Sequence, residues 1–311
     1  MSEPRTMHAP SNMLARFAWP GSAEHLALIR IALGAFIITS FASPAVPYLL
    51  EIPAGIFPTT RTVIPLPLEL FFARHMWMVL NVGMAAAALV ALGLLTRVAL
   101  PVLLFSYAIS QSYYFRAITA HDDWLYFIFP LLVLCFARCN DAFSLDALIA
   151  ARRGKPLATA EDRRAYRWPV ELMTLWIALL YGAAGIAKLF PLRKGLVWLD
   201  GTSAQHMAMY YLRDSPLFFV LDTTPFDYSV RWPFTVLSIG ATAIELSALS
   251  LLFSRKAAVF VVPAVLSMHI GIYAFGISGF STLLLVSSLA LLDPLAVESL
   301  AGRLLPSRLA R

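Results

Sequence analysis

Long apolar segments dominate the sequence, and each is close to the length that a helix needs to cross a lipid bilayer. A transmembrane helix takes about 20 predominantly apolar residues, because the hydrocarbon core is about 30 Å thick. Such segments predict eight spans, at residues 25–46, 76–95, 98–116, 119–137, 168–190, 232–253, 257–277 and 279–296. The predicted fold is an all-α, polytopic membrane helix bundle.

Composition agrees with a membrane protein. Hydrophobic residues make up 59% of the 311 residues and charged residues only 14%, against about 25% charged in soluble globular domains. The net charge of +6 is explained by basic loops and does not indicate nucleic-acid binding. Cys135 and Cys139 are too few ligands for a metal site, so we interpret them as reduced small hydrophobes.

Two predicted spans depart from the regular pattern. The fourth has only a short clean apolar stretch, residues 124–137, and must draw the segment AHDD into its first turn to cross the bilayer. The last two form one unbroken apolar run. Gly276 and Gly279 are predicted to break that run into a tight hairpin.

Basic residues predict the orientation of the bundle. With the N-terminus inside, fifteen of the 24 Lys and Arg residues fall in inner segments and six in outer ones, as the positive-inside rule requires. We therefore expect an N-in, C-in bundle at residues 24–297, between cytoplasmic tails at 1–23 and 298–311. The first span should act as an uncleaved anchor, in the cytoplasmic (inner) membrane if the source is bacterial.

Two predicted outer loops are long and rich in aromatic and apolar residues, residues 47–74 and 191–231. Long loops of this kind often cap a site or lie in the membrane interface. Interface anchoring is the simpler interpretation of Trp198, Tyr210 and Tyr211.

Lys188 is the most informative ionisable residue within a span, where such residues are functional candidates by default. It ends the segment YGAAGIAKLF and shares a helical face with Glu171, Thr174, Tyr181 and Gly185. Position alone favours snorkelling, in which the long stem lifts the ammonium to the headgroups. The alternative is a chemical base, since an apolar setting disfavours the charged form of a lysine.

His121 begins the short fourth span, beside Asp122 and Asp123. The metal-binding signal of these three residues is weak, because adjacent helical residues point in different directions. A helix N-cap explains either aspartate, which leaves His121 for proton chemistry or a hydrogen bond. Because His121 and Lys188 both lie at the predicted outer membrane face, we expect them to share a pocket for a lipophilic molecule.

Three further ionisable residues lie inside predicted spans. Glu245 is mid-span and is expected to face the bundle interior, paired or protonated. His269 is expected to be a buried hydrogen-bonding partner. Arg30 has two open interpretations, inward snorkelling or pairing with Glu245.

The order of these motifs resembles the vitamin K-dependent gamma-carboxylases and their bacterial relatives, the horizontally transferred transmembrane (HTTM) family. The family's AG-x-x-K-L helix and following W-x-x-G element correspond here to Gly185, Lys188 and Leu189, then Trp198 and Gly201. The segment AHDDWLY matches the context of a family histidine. The resemblance extends from about residue 28 to 292.

The resemblance implies an integral membrane enzyme in which Lys188 is the catalytic base and His121 assists it. In the family's mechanism a lysine amine deprotonates a reduced quinone and oxygen then adds. The strong base that results removes a carbon-bound proton from a glutamate, which takes up CO₂. The implied cofactor is a vitamin K-like hydroquinone, with O₂ and CO₂ as co-substrates. The implied lining of the quinone or substrate pocket is Tyr181, Trp198, Gly201, Glu245, His269 and Tyr273.

The chain also departs from the carboxylases. It ends soon after the last predicted span, whereas the carboxylases continue into a large lumenal domain that engages the propeptide. Ala120 stands where the family has an asparagine. The segments WLDGTSA and HIGI are also similar to a membrane protein that matures a sporulation-delaying peptide toxin. The sequence thus leaves two hypotheses, an enzyme that modifies a secreted peptide or protein and a non-catalytic membrane protein that binds or chaperones one.

Overall fold

A computed structural model describes the chain at residues 16–17, 19–42, 65–117, 125–154, 160–190, 198–211, 227, 229–276, 288–292 and 296–300. Every regular element in these ranges is helical, so the all-α fold is confirmed. The α-helices are α1 (Ala23–Phe41), α2 (Leu66–Ala73), α3 (Met76–Leu92), α4 (Thr96–Ala117), α5 (Leu125–Phe136), α6 (Leu145–Arg152), α7 (Arg167–Leu189), α8 (Thr202–Tyr210), α9 (Trp232–Ser247), α10 (Ser250–Phe253) and α11 (Ala258–Ala274). Two 3₁₀ turns, Ala160–Tyr166 and Arg255–Ala257, precede α7 and α11.

Four helical stretches are long and apolar enough to cross a membrane: Ala23–Phe41, Arg163–Leu189, Trp232–Phe253 and Arg255–Ala274. They coincide with the first, fifth, sixth and seventh predicted spans, and the chain is an integral membrane protein. The full count of eight spans and the N-in, C-in orientation stay predictions. The shorter apolar helices Met76–Leu92 and Tyr126–Phe136 lie within the second and fourth predicted spans.

Proline and glycine explain several helix boundaries. Pro65 precedes α2 and Pro233 lies in the first turn of α9, positions where a missing N–H leaves no helical bond unmade. Gly276 follows α11 with φ +85°, which agrees with the predicted break there. Its predicted partner Gly279 lies outside the described residues.

The chain forms two compact units. Unit 1 contains Met1–Trp19 and Glu171–Leu291, and unit 2 contains Pro20–Val170 and Leu292–Arg311. In unit 2, α1 packs on α3, α3 on α4, and α4 on α5. In unit 1, α9 packs on both α8 and α11, and α7 approaches α9 through Gly185. Most residues that the sequence singles out for chemistry belong to unit 1.

Candidate functional site

The last turns of α7 carry Lys188 into close contact with α9. A Cβ atom added to Gly185 would lie 3.0 Å from the backbone nitrogen of Leu246, so a larger residue would push the two helices apart from this close approach. Lys188 is three residues beyond Gly185, on the same face of α7. The glycine therefore fixes the helix register that brings Lys188 to its partner.

That partner is Glu245, which accepts a hydrogen bond from Lys188 Nζ through Oε1 and forms an ion pair with it. The two side chains are only 16% and 8% exposed, so the pair is shielded from water. The expectation that Glu245 faces the interior and is paired agrees with this geometry. The second carboxylate oxygen, Oε2, is buried and has no hydrogen-bond partner among the described residues.

Lys188 lies at the end of α7, a position that favours snorkelling to the headgroups, but its partner lies well along α9. Glu245 lies thirteen residues beyond Trp232, the first residue of α9, which corresponds to about 20 Å along a helix. Lys188 therefore lies in the last turn of α7 but contacts a residue well inside the apolar stretch Trp232–Phe253. Its ammonium is directed into the protein, against a carboxylate, and this geometry favours pairing over snorkelling.

The W-x-x-G element closes the other side of the lysine. The Trp198 ring centroid is 5.0 Å from Lys188 Nζ, within the range of a cation–π contact. Gly201 has φ +83° and caps the start of α8, and a Cβ there would lie 2.3 Å from Thr235 N. Thr235 Oγ1 also donates to the Asp200 carbonyl at 2.7 Å. Gly201 thus positions the element against the first turn of α9, which places Trp198 beside Lys188.

A second polar pair joins α7 to α11. Tyr181 Oη lies 2.6 Å from His269 Nε2, and both side chains are buried. Tyr181 is on the face of α7 that also carries Lys188, seven residues away. Tyr273, one turn beyond His269, is 53% exposed and is not part of this buried pair.

Buried polar groups continue along α9 from Glu245. Ser238 and Thr242 lie on the same helix face at spacings of seven and three residues, and both are buried. Thr242 Oγ1 donates to the Ser238 carbonyl at 2.8 Å. Within the described part of the chain, Ser238 Oγ has no hydrogen-bond partner. The buried face of α9 therefore offers polar atoms inside an apolar bundle.

A second charged cluster, missed in the sequence, lies at the opposite end of α7. Glu171 accepts from Arg16 at 2.7 Å and from Arg255 at 2.9 Å. Arg16 also donates to the Leu251 carbonyl and Arg255 to the Ala290 carbonyl. Arg16 falls in the predicted cytoplasmic tail at 1–23, and nothing in its local sequence indicates a buried partner 155 residues away.

Arg30 follows neither of its two predicted alternatives. It is fully buried in unit 2 and donates to the carbonyls of Cys139 at 3.1 Å and Phe143 at 2.6 Å. The partner of Glu245 is Lys188. Arg30 thus joins α1 to the segment that follows α5, and its role in the structure is to satisfy backbone carbonyls.

His121 lies outside the described residues, as do Asp122 and Asp123. A pocket shared by His121 and Lys188 stays a prediction. Within the described ranges, no three His, Cys, Asp or Glu side chains are grouped to hold a metal ion. Cys135 and Cys139 are free thiols.

Comparison with known families supports the predicted membership of the HTTM family. The sequence profile of the HTTM domain matches residues 20–294, which is most of the chain. No curated protein and no solved structure matched it.

Proposed function

This chain belongs to the HTTM domain family, and we propose that it is a carboxylase-like membrane enzyme that uses Lys188 as a base to modify a secreted peptide or protein. The family match supports a carboxylase-related membrane protein. The observation that carries the enzymatic proposal is the enclosed Lys188–Glu245 pair, with Trp198 over the ammonium. Ionisable groups this well shielded inside an apolar bundle are energetically costly, and they are therefore functional candidates.

The pair gives Lys188 a route to its basic form. An ammonium has no lone pair, so the side chain acts as a base only after it loses a proton. Lys188 Nζ already donates to Glu245 Oε1. Transfer of that proton to the carboxylate yields a neutral amine and a neutral acid. In the proposed mechanism, Glu245 takes up the proton that Lys188 must release.

The residues around Lys188 fit a reduced quinone. When bound, such a quinone would supply an acidic hydroxyl proton and the electrons that reduce oxygen. Glu245 Oε2 is a buried acceptor that no described residue fills. The Trp198 ring offers an aromatic surface beside the amine. Lys188 Nζ would accept the hydroxyl proton once its own proton is on Glu245.

Other residues in the proposal have supporting roles. The hydrogen bond between Tyr181 and His269 would hold α7 against α11 and so fix the orientation of the Lys188 turn. His121 would assist as a proton relay, as the family resemblance implies. The substrate would reach the site from the side predicted to face outward, where the 191–231 loop is predicted to lie.

One observation also fits the rival function, a non-catalytic binder of a secreted peptide. Tyr210 at the end of α8 is 80% exposed, and the adjacent Met209 is 53% exposed. An exposed aromatic and a flexible thioether are typical of a peptide-docking surface. This surface serves either hypothesis, because an enzyme must also hold its substrate.

The test uses the full-length protein in lipid nanodiscs. The probes are phylloquinone hydroquinone, O₂, isotopically labelled bicarbonate and synthetic glutamate-containing peptides. The enzymatic proposal predicts quinone oxidation that requires Lys188, and incorporation of the label wherever the peptide is carboxylated. Peptide binding without quinone turnover, at every quinone and peptide tried, would leave only the binder. Mass analysis of secreted peptides from cells with and without the protein would then identify the partner.

A further inference from the structure

The short helix α6 carries apolar side chains that the rest of the protein leaves partly uncovered. None of its eight residues is buried. Leu145, Leu148 and Ile149 are each more than a third exposed, and their spacing of three and four residues places them on one helix face. A contiguous exposed apolar face of this kind marks an interaction surface.

Hydrogen bonds fix α6 at one end of unit 2. Asp146 accepts from Leu95 N at 2.9 Å and from Thr96 N at 3.0 Å, and its own N–H donates to the Gly93 carbonyl. Ser144 caps the first turn by accepting from Ala147 N. The helix is thus held against the turn at which α3 ends and α4 begins.

Exposed apolar side chains surround the turn that holds α6. Leu92, Leu95 and Val98 are all more than half exposed, as expected for side chains that face lipid. Arg97, in their midst, is also exposed. Exposed apolar side chains next to an exposed arginine are typical of the boundary between acyl chains and headgroups.

Positive charge accompanies the apolar face of α6. Arg152 lies three residues beyond Ile149 on that same face, and Arg153 follows it. Both are exposed, like Arg97. In the part of the chain that the structure describes, none of these three arginines forms an ion pair, so their charges are available to an external anion.

We propose that α6 lies in the membrane interface and that this surface binds anionic phospholipid headgroups. The surface consists of Leu145, Leu148 and Ile149 with Arg97, Arg152 and Arg153. The apolar face enters the acyl boundary while the guanidinium groups reach the phosphates, as in interfacial amphipathic helices. The charge bias of the loops places this end on the cytoplasmic side, whose leaflet carries anionic lipid. The proposal is independent of any enzymatic activity.

The experiment measures which lipids contact α6. Leu148→Cys is labelled with a bimane fluorophore, and the full chain is placed in nanodiscs of equal amounts of phosphatidylcholine and phosphatidylglycerol. In one sample only the phosphatidylglycerol chains are brominated near the headgroup, and in the other only the phosphatidylcholine chains. We expect stronger quenching by the brominated phosphatidylglycerol. The ratio of quenching by brominated phosphatidylglycerol to quenching by brominated phosphatidylcholine should fall about fivefold for each arginine removed in Arg152→Gln and Arg153→Gln.

Controls separate this surface from general effects. Arg231→Gln removes an exposed arginine of unit 1 and should leave the lipid preference unchanged. Wild-type protein treated with the same reagent reports any labelling of Cys135 and Cys139. Quenching by aqueous iodide with none by either brominated lipid would overturn the proposal. Equal quenching by both lipids, unaffected by the arginine variants, would also overturn it.

Discussion

Two buried carboxylates of unit 1 form their ion pairs at opposite ends of α7, and they are held in different ways. Glu171, near the start of α7, accepts hydrogen bonds from two arginines, Arg16 and Arg255. Glu245 meets the other end of α7 with a single cation, Lys188. Glu171 and Lys188 are seventeen residues apart, about 25 Å along the helix. The first site binds its carboxylate with both oxygens, and the second leaves Glu245 Oε2 without a described partner.

The identity of the cation explains the contrast. Arginine stays charged in proteins and forms rigid, multiply bonded pairs. It is suited to holding segments together, and the Glu171 cluster joins the N-terminal segment to α7 and to the turn before α11. Lysine can lose its proton when buried. The pair that leaves one carboxylate oxygen unbonded is therefore suited to proton chemistry, and the cluster that bonds both oxygens of Glu171 is suited to stability.

The sharpest way to break this comparison is Lys188→Arg. The substitution keeps the positive charge beside Glu245 but removes a group that can lose its proton. We expect normal expression and a loss of activity of about 100- to 10,000-fold, the usual contribution of a general base. The measurement is peptide modification or quinone oxidation per folded molecule. Full activity in this variant would leave the proposed mechanism without its base.

The second prediction concerns the arginine cluster. Glu171→Gln leaves Arg16 and Arg255 without their shared counter-charge, and breaking a buried pair in this way costs about 3–5 kcal/mol. We expect a marked loss of thermal stability in detergent, followed by tryptophan fluorescence and the monodisperse fraction. Activity per folded molecule should remain near that of wild type. A variant as stable as wild type but inactive would reverse the roles assigned to the two clusters.

The third prediction separates stability from chemistry at the lysine itself. Lys188→Met leaves Glu245 buried without its cation, so we expect destabilisation of a few kcal/mol. The double variant Lys188→Met with Glu245→Met should regain most of that stability, because apolar residues of similar volume replace a buried pair with little loss. It should stay inactive. Melting temperatures of the wild type, the two single variants Lys188→Met and Glu245→Met, and the double variant give the coupling between the two residues. Additive effects would show that the pair contributes nothing as a pair.

The smallest expected effect lies in unit 2, at a carboxylate outside the spans. Partial burial acts to raise the pKa of Asp146, but hydrogen bonds from Thr96 and Leu95 outweigh it and hold that pKa below its usual value. A lowered folded-state pKa means that the stabilisation is complete above the unfolded pKa of about 4 and is lost as the pH falls further. Asp146→Asn should cost about 1 kcal/mol at neutral pH, as for a lost helix cap, and should flatten the loss of stability in acid. Melting curves between neutral and acid pH provide the check. If the variant loses stability just as steeply as the pH falls, that loss arises from other carboxylates.

The sequence by itself determined the membrane class and much of the helix framework. The fifth span was predicted at residues 168–190, and α7 runs over Arg167–Leu189. Hydropathy sets such boundaries locally, because each helix satisfies its own backbone and needs only enough apolar length. The same cost argument identified Lys188, Glu245 and His269 as unusual residues before any contact was known. The segment that holds His121 lies outside the described residues, and its place beside Lys188 stays a prediction.

Only the tertiary structure decided which of these residues meet. Lys188 and Glu245 are 57 residues apart, and Tyr181 and His269 are 88 apart. Charge alone made Arg30 an equally reasonable partner for Glu245, yet Arg30 binds backbone carbonyls in unit 2. The choice depends on the register between helices, which the close approach of Gly185 to Leu246 fixes. Register is set by packing between segments distant in the chain, and no local pattern of hydropathy or charge encodes it.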